Sequence, residues 1–322
     1  MSLEKIIGQN KAIDFLIQSI KNNKLASSYL FIGPEGIGKN LVAKEFAKLL
    51  NCQKKSLDVC DSCSSCIKID KMSHPDIHWV EKDKSGFIKI ENIRLLQQDI
   101  NLRPYEAKKK VFIINQAHAM TAEAANALLK TLEEPPKNSI LILTTNSAER
   151  MFSTIVSRCQ KVFFSSMNAE DLKSILKKNH DLKDATSHYL SFFTEGRLGK
   201  SLSLKENDIL REKNRIIDSF TGLKGSRENH FDLESKDKQQ IRYNLDILVN
   251  WFRDILLLKC GIKAENLANS DRSKELLALE KKYNMQDLLN IMEQILNTYT
   301  MLEYNLNPKI FLEFLKVKAW MD

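Results

Sequence analysis

The chain has 322 residues, 43% of them hydrophobic, and its 49 basic and 41 acidic side chains give a net charge of +8. Such a length suits roughly two or three domains with packed cores and excludes a disordered chain, while the positive balance favours nucleic acid or another polyanion as a partner. No apolar run approaches the roughly 18 residues of a membrane span, and Met1-Ser2-Leu3-Glu4-Lys5 lacks a signal-peptide pattern, so the expected place is the cytoplasm, without a membrane partner.

In chain order, Ile13, Leu16, Ile17 and Ile20 make a one-sided apolar stripe at helical spacing. Ser28 to Ile32 then reads as a short buried strand running into Gly33-Pro34-Glu35-Gly36-Ile37-Gly38-Lys39-Asn40. The G-x-x-x-x-G-K spacing is that of a phosphate-binding loop: backbone N–H groups and the Lys39 ammonium suit the β- and γ-phosphates, and a helix from Lys39 to about Leu50 offers its N-terminus to negative charge. Position 40 should supply a Ser or Thr hydroxyl to Mg²⁺, but it is Asn40.

Cys52, Cys60, Cys63 and Cys66 follow in the order C-x7-C-x2-C-x2-C. In a reducing compartment four clustered thiolates favour a closed, structural Zn²⁺ site over two disulfides, with no coordination position left for hydrolysis. An iron–sulfur cluster and free thiols are the alternatives. A ferredoxin run would place its fourth Cys downstream, before Pro, whereas Ile67-Lys68-Ile69 follows Cys66. Cys159 and Cys260, isolated in sequence, are expected to be buried. Asp76 to Val80 reads as the next strand, and His74 and His78 beside it as structural or surface residues rather than ligands.

Glu91 to Ile100 reads as a helix and Val111 to Ile114 as a central strand. That strand should end in an Asp that holds Mg²⁺, with a catalytic carboxylate beside it; Asn115 and Gln116 stand there instead. An amide lacks the charge that retains a hard divalent cation, and Gln116 cannot act as a carboxylate base. A Gln orients water in some GTPases, so position 116 alone decides nothing. Together with Asn40 and Asn115 it predicts a loop that binds ATP weakly or not at all and does not hydrolyse it.

Thr121 caps a helix through Leu132, and Ser139 to Thr145 is another continuous apolar strand, as in a parallel sheet covered on both faces. Composition changes near Phe163-Phe164-Ser165-Ser166, where Asn168 and Asp171 mark a helix start. Everything beyond reads as helical, apart from a charged, glycine-interrupted connector over 203–240. Asn284 opens a helix with apolar periodicity, and Asn307-Pro308 opens a last one.

The run Ala125-Asn126-Ala127-Leu128-Leu129-Lys130-Thr131-Leu132-Glu133-Glu134-Pro135-Pro136, followed by Ser157-Arg158-Cys159, resembles the bacterial clamp-loader AAA+ subunits of the DNA polymerase III holoenzyme. The four-cysteine insertion after the P-loop helix is similar to that of the gamma/tau and delta-prime branches, and Asn115-Gln116 to delta-prime, since gamma/tau would carry Asp-Glu there. The resemblance extends through Trp251-Phe252-Arg253-Asp254-Ile255-Leu256 and Asn305-Leu306-Asn307-Pro308.

It implies an α/β AAA+ P-loop domain with a parallel sheet over 1–166, carrying the zinc module at 52–66, then a small helical lid over 167–205 and an all-α collar over 206–322. It also implies a pentameric ATP-driven machine that places the beta sliding clamp on primer-template DNA, with gamma/tau and delta subunits as partners. In it this chain is a stator. Gly33, Gly36, Gly38, Lys39, Asn40, Asn115, Gln116 and Thr145 form a degenerate nucleotide site, with Thr144 and Thr145 at the strand-end sensor, and Arg158 is an arginine finger for the neighbouring gamma/tau site. Outside this motif a lone arginine reads as a surface salt bridge. In Glu195-Gly196-Arg197-Leu198-Gly199-Lys200, Gly199 occupies the place of a second phosphate-sensing arginine, with Arg197 or Lys200 as substitutes. Arg94 is the expected DNA-backbone contact, whereas Lys108-Lys109-Lys110 reads as the solvated start of a strand. The competing readings are an active gamma/tau-type ATPase and a zinc-dependent DNA-binding protein with a vestigial P-loop.

Overall fold

The structure, a computed structural model, describes residues 6–54, 58–204, 208–221 and 238–303. It divides into two compact units between Ser166 and Met167, where the composition changes.

Unit 1 runs α1 (Asn10–Lys21), β1 (Ser28–Ile32), α2 (Lys39–Asn51), α3 (Ser64–Asp70), β2 (Ile77–Val80), α4 (Ile90–Ile100), β3 (Lys110–Ile114), α5 (Ala122–Glu133), β4 (Ser139–Thr145), α6 (Ser153–Val156) and β5 (Gln160–Phe163). The five strands form one parallel sheet in the order β2-β3-β4-β1-β5. Its strands are continuously apolar because both faces are covered. Tyr29, Phe31, Val111, Ile113 and Ile142 pack with Leu16 of α1 and Phe46 of α2. The alternate residues Leu30, Phe112, Ile114, Leu141 and Leu143 pack with Ile93 of α4 and Leu128 of α5. From β1 the chain crosses past β4 and β3 to reach β2, so the loops at the carboxyl ends of β1 and β4 diverge there and open the crevice in which such sheets bind ligands.

The expected caps are present: Thr121 Oγ1 accepts from the Ala124 N–H at 3.3 Å, and Asn168 Oδ1 from the Asp171 N–H at 2.7 Å. β5 was not legible as a strand. It is an edge strand with only Val162 buried, so it has no apolar run to read.

Unit 2 runs α7 (Ala169–His180), α8 (Asp184–Phe193), α9 (Leu198–Leu204), α10 (Ile209–Thr221), α11 (Lys238–Lys259), α12 (Ser273–Lys282) and α13 (Met285–Glu303), with no strand among its described residues. One core gathers Leu172 and Leu176 of α7, Leu190 of α8, Ile217 of α10, Trp251 of α11 and Ile295 of α13. Two expectations are corrected. The connector over 203–240 contains α10, which buries Ile209, Lys213, Ile216, Ile217 and Phe220 on one face. Cys260, just past the end of α11, is exposed rather than buried. The helix expected behind Asn307 lies outside the described residues. No described helix is long and apolar enough to cross a membrane.

Candidate functional site

β1 delivers the glycine loop at its carboxyl end. The Gly33 N–H donates to the Thr145 carbonyl at 3.2 Å, and a Cβ at position 33 would lie 2.5 Å from the Phe164 carbonyl oxygen. Gly38, at the N-terminus of α2, has φ of +102°, which a side chain would strain. The Lys39 ammonium folds back on the loop, donating to the carbonyls of Gly33 at 2.5 Å and Pro34 at 2.7 Å. Burial pushes its pKa down to about 8, against a smaller upward pull from Glu35. Asn40 follows in the first turn of α2, its Oδ1 buried and unpartnered.

The ends of β2, β3 and β4 close on the same loop. Asn115 Nδ2 donates to Glu81 Oε2 at 3.0 Å, while Asn115 Oδ1 accepts from Thr144 Oγ1 at 3.0 Å. Gln116, in the left-handed region at φ +51°, donates through its backbone N–H to Thr144 Oγ1 at 3.1 Å and through Nε2 to Glu35 Oε1 at 3.3 Å. Thr145 Oγ1 donates to the Ser147 carbonyl and lies 3.2 Å from His118 Nδ1. Burial, followed by the positive charge of Arg150, lowers the His118 pKa. The predicted nucleotide-site residues are thus brought together, and Glu81, Glu35 and His118 join them unforeseen. Chemically, both amides act as donors to carboxylates, a role that Asp and Glu cannot fill.

The four cysteines converge as their spacing suggested. Their Sγ atoms all lie within 4.8 Å of one another, with Cys60 and Cys66 4.0 Å apart. Cys52 caps the end of α2, Cys63 caps the start of α3, and Cys66 sits within α3. Backbone and side-chain donors of Ser62 hold the Cys60 thiolate and push its pKa down to about 5. All four are free of disulfides. Four sulfur donors converging in this way, two of them buried, fit a closed tetrahedral ion. The module is tied to α2 by the buried Lys48, which pairs with Glu45 at 3.2 Å, Asp61 at 2.5 Å and Asp70 at 2.9 Å. Neither histidine joins it. His74 Nδ1 accepts from the Asp76 N–H at 3.1 Å, and His78 stacks on Phe112 at 4.6 Å.

Arg158 follows α6. Its Nη2 pairs with Glu133 Oε1 at 2.7 Å and its Nη1 donates to the Thr154 carbonyl at 2.9 Å, with the side chain 36% exposed. Phe152 and Phe163, on either side of it in sequence, are 45% and 66% exposed. Arg94 is exposed on α4. Lys110 departs from the solvated reading: it is buried, and its ammonium donates to the Asp99 carbonyl at 2.8 Å. In unit 2, Arg197 donates to the Thr194 carbonyl and pairs with Glu195, and Lys200 pairs with Asp246 at 3.3 Å. A Cβ at Gly196 would collide with the Met167 carbonyl.

Two family descriptions match the chain: DNA polymerase III, delta subunit, over residues 8–168, and DNA polymerase III, delta subunit, C terminal, over 209–315. The chain is 29% identical over 315 residues to DNA polymerase III subunit delta' of Bacillus subtilis, covering 95% of this chain and 94% of that protein. It is 26% identical to the tau subunit of the same organism, over 98% of this chain and 61% of that one. With the gamma/tau subunit of Mycoplasma genitalium it shares 36% identity, over 63% of this chain and 35% of that one. The chain therefore spans less than two thirds of these longer relatives. Among solved structures, a DNA polymerase III gamma subunit-related protein from Thermotoga maritima covers 94% of this chain and 98% of its own, at TM-score 0.47 and 16% identity. Similarity running nearly the whole length of a P-loop sheet and its helical partner unit establishes that the chain belongs to the DNA polymerase III delta-subunit family, among clamp-loader proteins of the delta-prime kind.

Proposed function

We propose that the protein is a non-catalytic stator of the DNA polymerase III clamp loader, which supplies Arg158 to the ATP site of a neighbouring gamma/tau subunit while the beta clamp is placed on primer-template DNA. The observation that carries this reading is the commitment of Asn115 and Gln116 to Glu81 and Glu35: the strand end offers amide donors where hydrolysis requires a metal-holding acid and a base. Phe152 and Phe163, six residues before and five after Arg158 in the chain, are exposed large apolar side chains of that segment, of the kind a subunit contact uses. Delta subunits complete the set of neighbours, and the cytoplasm is the setting.

Within this reading 167–205 is the lid and 206–322 the collar. Cys52, Cys60, Cys63 and Cys66 would hold a structural Zn²⁺, whose chemistry is to cross-link the end of α2 to α3. Arg94 meets the DNA backbone. A nucleotide at this degenerate loop would meet Lys39 and the N–H groups around Gly36 and Gly38.

Purified chain is expected to show negligible ATP turnover, unchanged by Lys39→Ala. The complex reconstituted with gamma/tau and delta subunits is expected to turn over ATP more slowly when it carries Arg158→Ala, the one gamma/tau site that Arg158 serves slowing by about 10³-fold, with assembly intact. Turnover by the isolated chain that Lys39→Ala abolishes would overturn the stator assignment and favour an active gamma/tau-type ATPase.

A further inference from the structure

We infer that Glu133 is the positioning residue for Arg158: its carboxylate fixes the guanidinium in the orientation that the neighbouring ATP site meets. This rests on the finger reading above and deepens it.

Glu133 is the last residue of α5, and Arg158 lies two residues beyond α6. Both segments are anchored in the same core, Glu133 through Leu132 and Arg158 through Ile155 and Cys159. The backbone positions of acid and base are therefore set by packing, and what remains free is the long arginine side chain. Glu133 takes Nη2 at 2.7 Å, and the Thr154 carbonyl takes Nη1 at 2.9 Å, with Ser157 Oγ at 3.4 Å from the same nitrogen. A planar guanidinium held at both terminal nitrogens has its plane defined, yet over a third of the side chain still faces outward.

A carboxylate beside a finger could also oppose it by cancelling its charge. Magnitudes decide between the two effects. An exposed ion pair is weakly attractive and heavily screened, so Glu133 withdraws little of the finger's electrostatic effect; the orientation comes from two acceptors acting together, the carboxylate on Nη2 and the Thr154 carbonyl on Nη1, rather than from the strength of the pair. Misplacing a reacting group by about 1 Å, by contrast, can cost about 10² in rate. Orientation outweighs neutralisation.

The test uses full-length chains in the reconstituted complex, with ATP, beta clamp and primed DNA. Glu133→Gln, which keeps shape but loses charge, is expected to lower turnover at that gamma/tau site about tenfold, and so that of the complex by the site's share, with KM for ATP unchanged, within the range that misplacement allows. Glu133→Asp should fall between Gln and wild type. Assembly and the thermal midpoint of the chain should not move, which separates positioning from a structural role. Because Glu133 acts only through Arg158, the double variant Arg158→Ala/Glu133→Gln should be no slower than Arg158→Ala alone. Wild-type or faster turnover by Glu133→Gln, with Arg158→Ala still impaired, overturns the positioning role alone. A further loss on adding Glu133→Gln to Arg158→Ala overturns it too. Unimpaired turnover by Arg158→Ala removes the finger reading itself, and the positioning role with it.

Discussion

Asn115 and Gln116 each place an amide nitrogen against a carboxylate, at 3.0 Å from Glu81 and 3.3 Å from Glu35. Restoring the acids would set carboxylate against carboxylate, and so close a pair cannot ionise freely. The double reversion Asn115→Asp/Gln116→Glu is therefore expected to leave magnesium–ATP affinity no higher than wild type, whereas adding Glu81→Gln and Glu35→Gln should raise it. Calorimetric titration of the isolated chain checks this, and tight binding by the double reversion alone would refute it. Lys39 gives a pH prediction. Its folded pKa of about 8 lies below the ordinary 10.5. Below pH 8 both folded and unfolded states hold the proton and the cost of burial is fully present. Between 8 and 10.5 the folded state sheds the proton while the unfolded chain keeps it, so stability rises with pH through that window. Wild type should gain on Lys39→Met between pH 8 and 10.5 in urea midpoints; a constant difference across the window counts against it. The amides were legible because a motif fixes their place. Glu81 and Glu35 were not, since strand ends 34 and 81 residues apart in sequence make those contacts.

Among the elements, the cysteine module depends on α2 for its seat. Lys48 is buried there with Glu45, and reaches out to Asp61 and Asp70 on the module side. Lys48→Ala removes a buried cation shared by three carboxylates, two of them about 40% exposed, and losing such charge-assisted bonds is expected to cost roughly 1 to 3 kcal/mol. Urea denaturation of the variant should show a loss of that order, and Glu45→Gln in the same chain should recover part of it, because the two changes are coupled. Equal losses for the single and double variants would assign the effect to packing of the lysine stem. The central strands were legible for a simple reason: sheets covered on both faces leave uninterrupted apolar runs, as in Val111 to Ile114. Helix α10 was hidden by its own chemistry. Lys213 occupies a core-facing position, neutralised by Asp271 at 2.7 Å from 58 residues away, so one face looks charged in sequence and is buried in the fold.

Over the whole molecule, strand-forming runs give way to helical periodicity near residue 166, and the two compact units of the fold carry separate cores. The cysteine site belongs to only one of them: Cys52 and Cys66 are buried with Phe46, Val59 and Ile69 of unit 1. Removing a structural ion should therefore loosen unit 1 and spare the helical core of unit 2, since zinc ligation energy acts as folding energy for the segment it closes. Hydrogen exchange on the full chain, before and after chelation with metal content measured, is expected to show faster exchange in α2 and α3 and unchanged protection in α8 and α11. Two other outcomes would be decisive. Unaltered exchange in α2 and α3 after verified metal loss would mean the cysteines do not carry a structural ion. Loss of DNA binding with unit 1 still protected would instead favour a zinc-dependent DNA-binding protein, because only then would the ion serve the nucleic acid directly rather than the fold that presents Arg158.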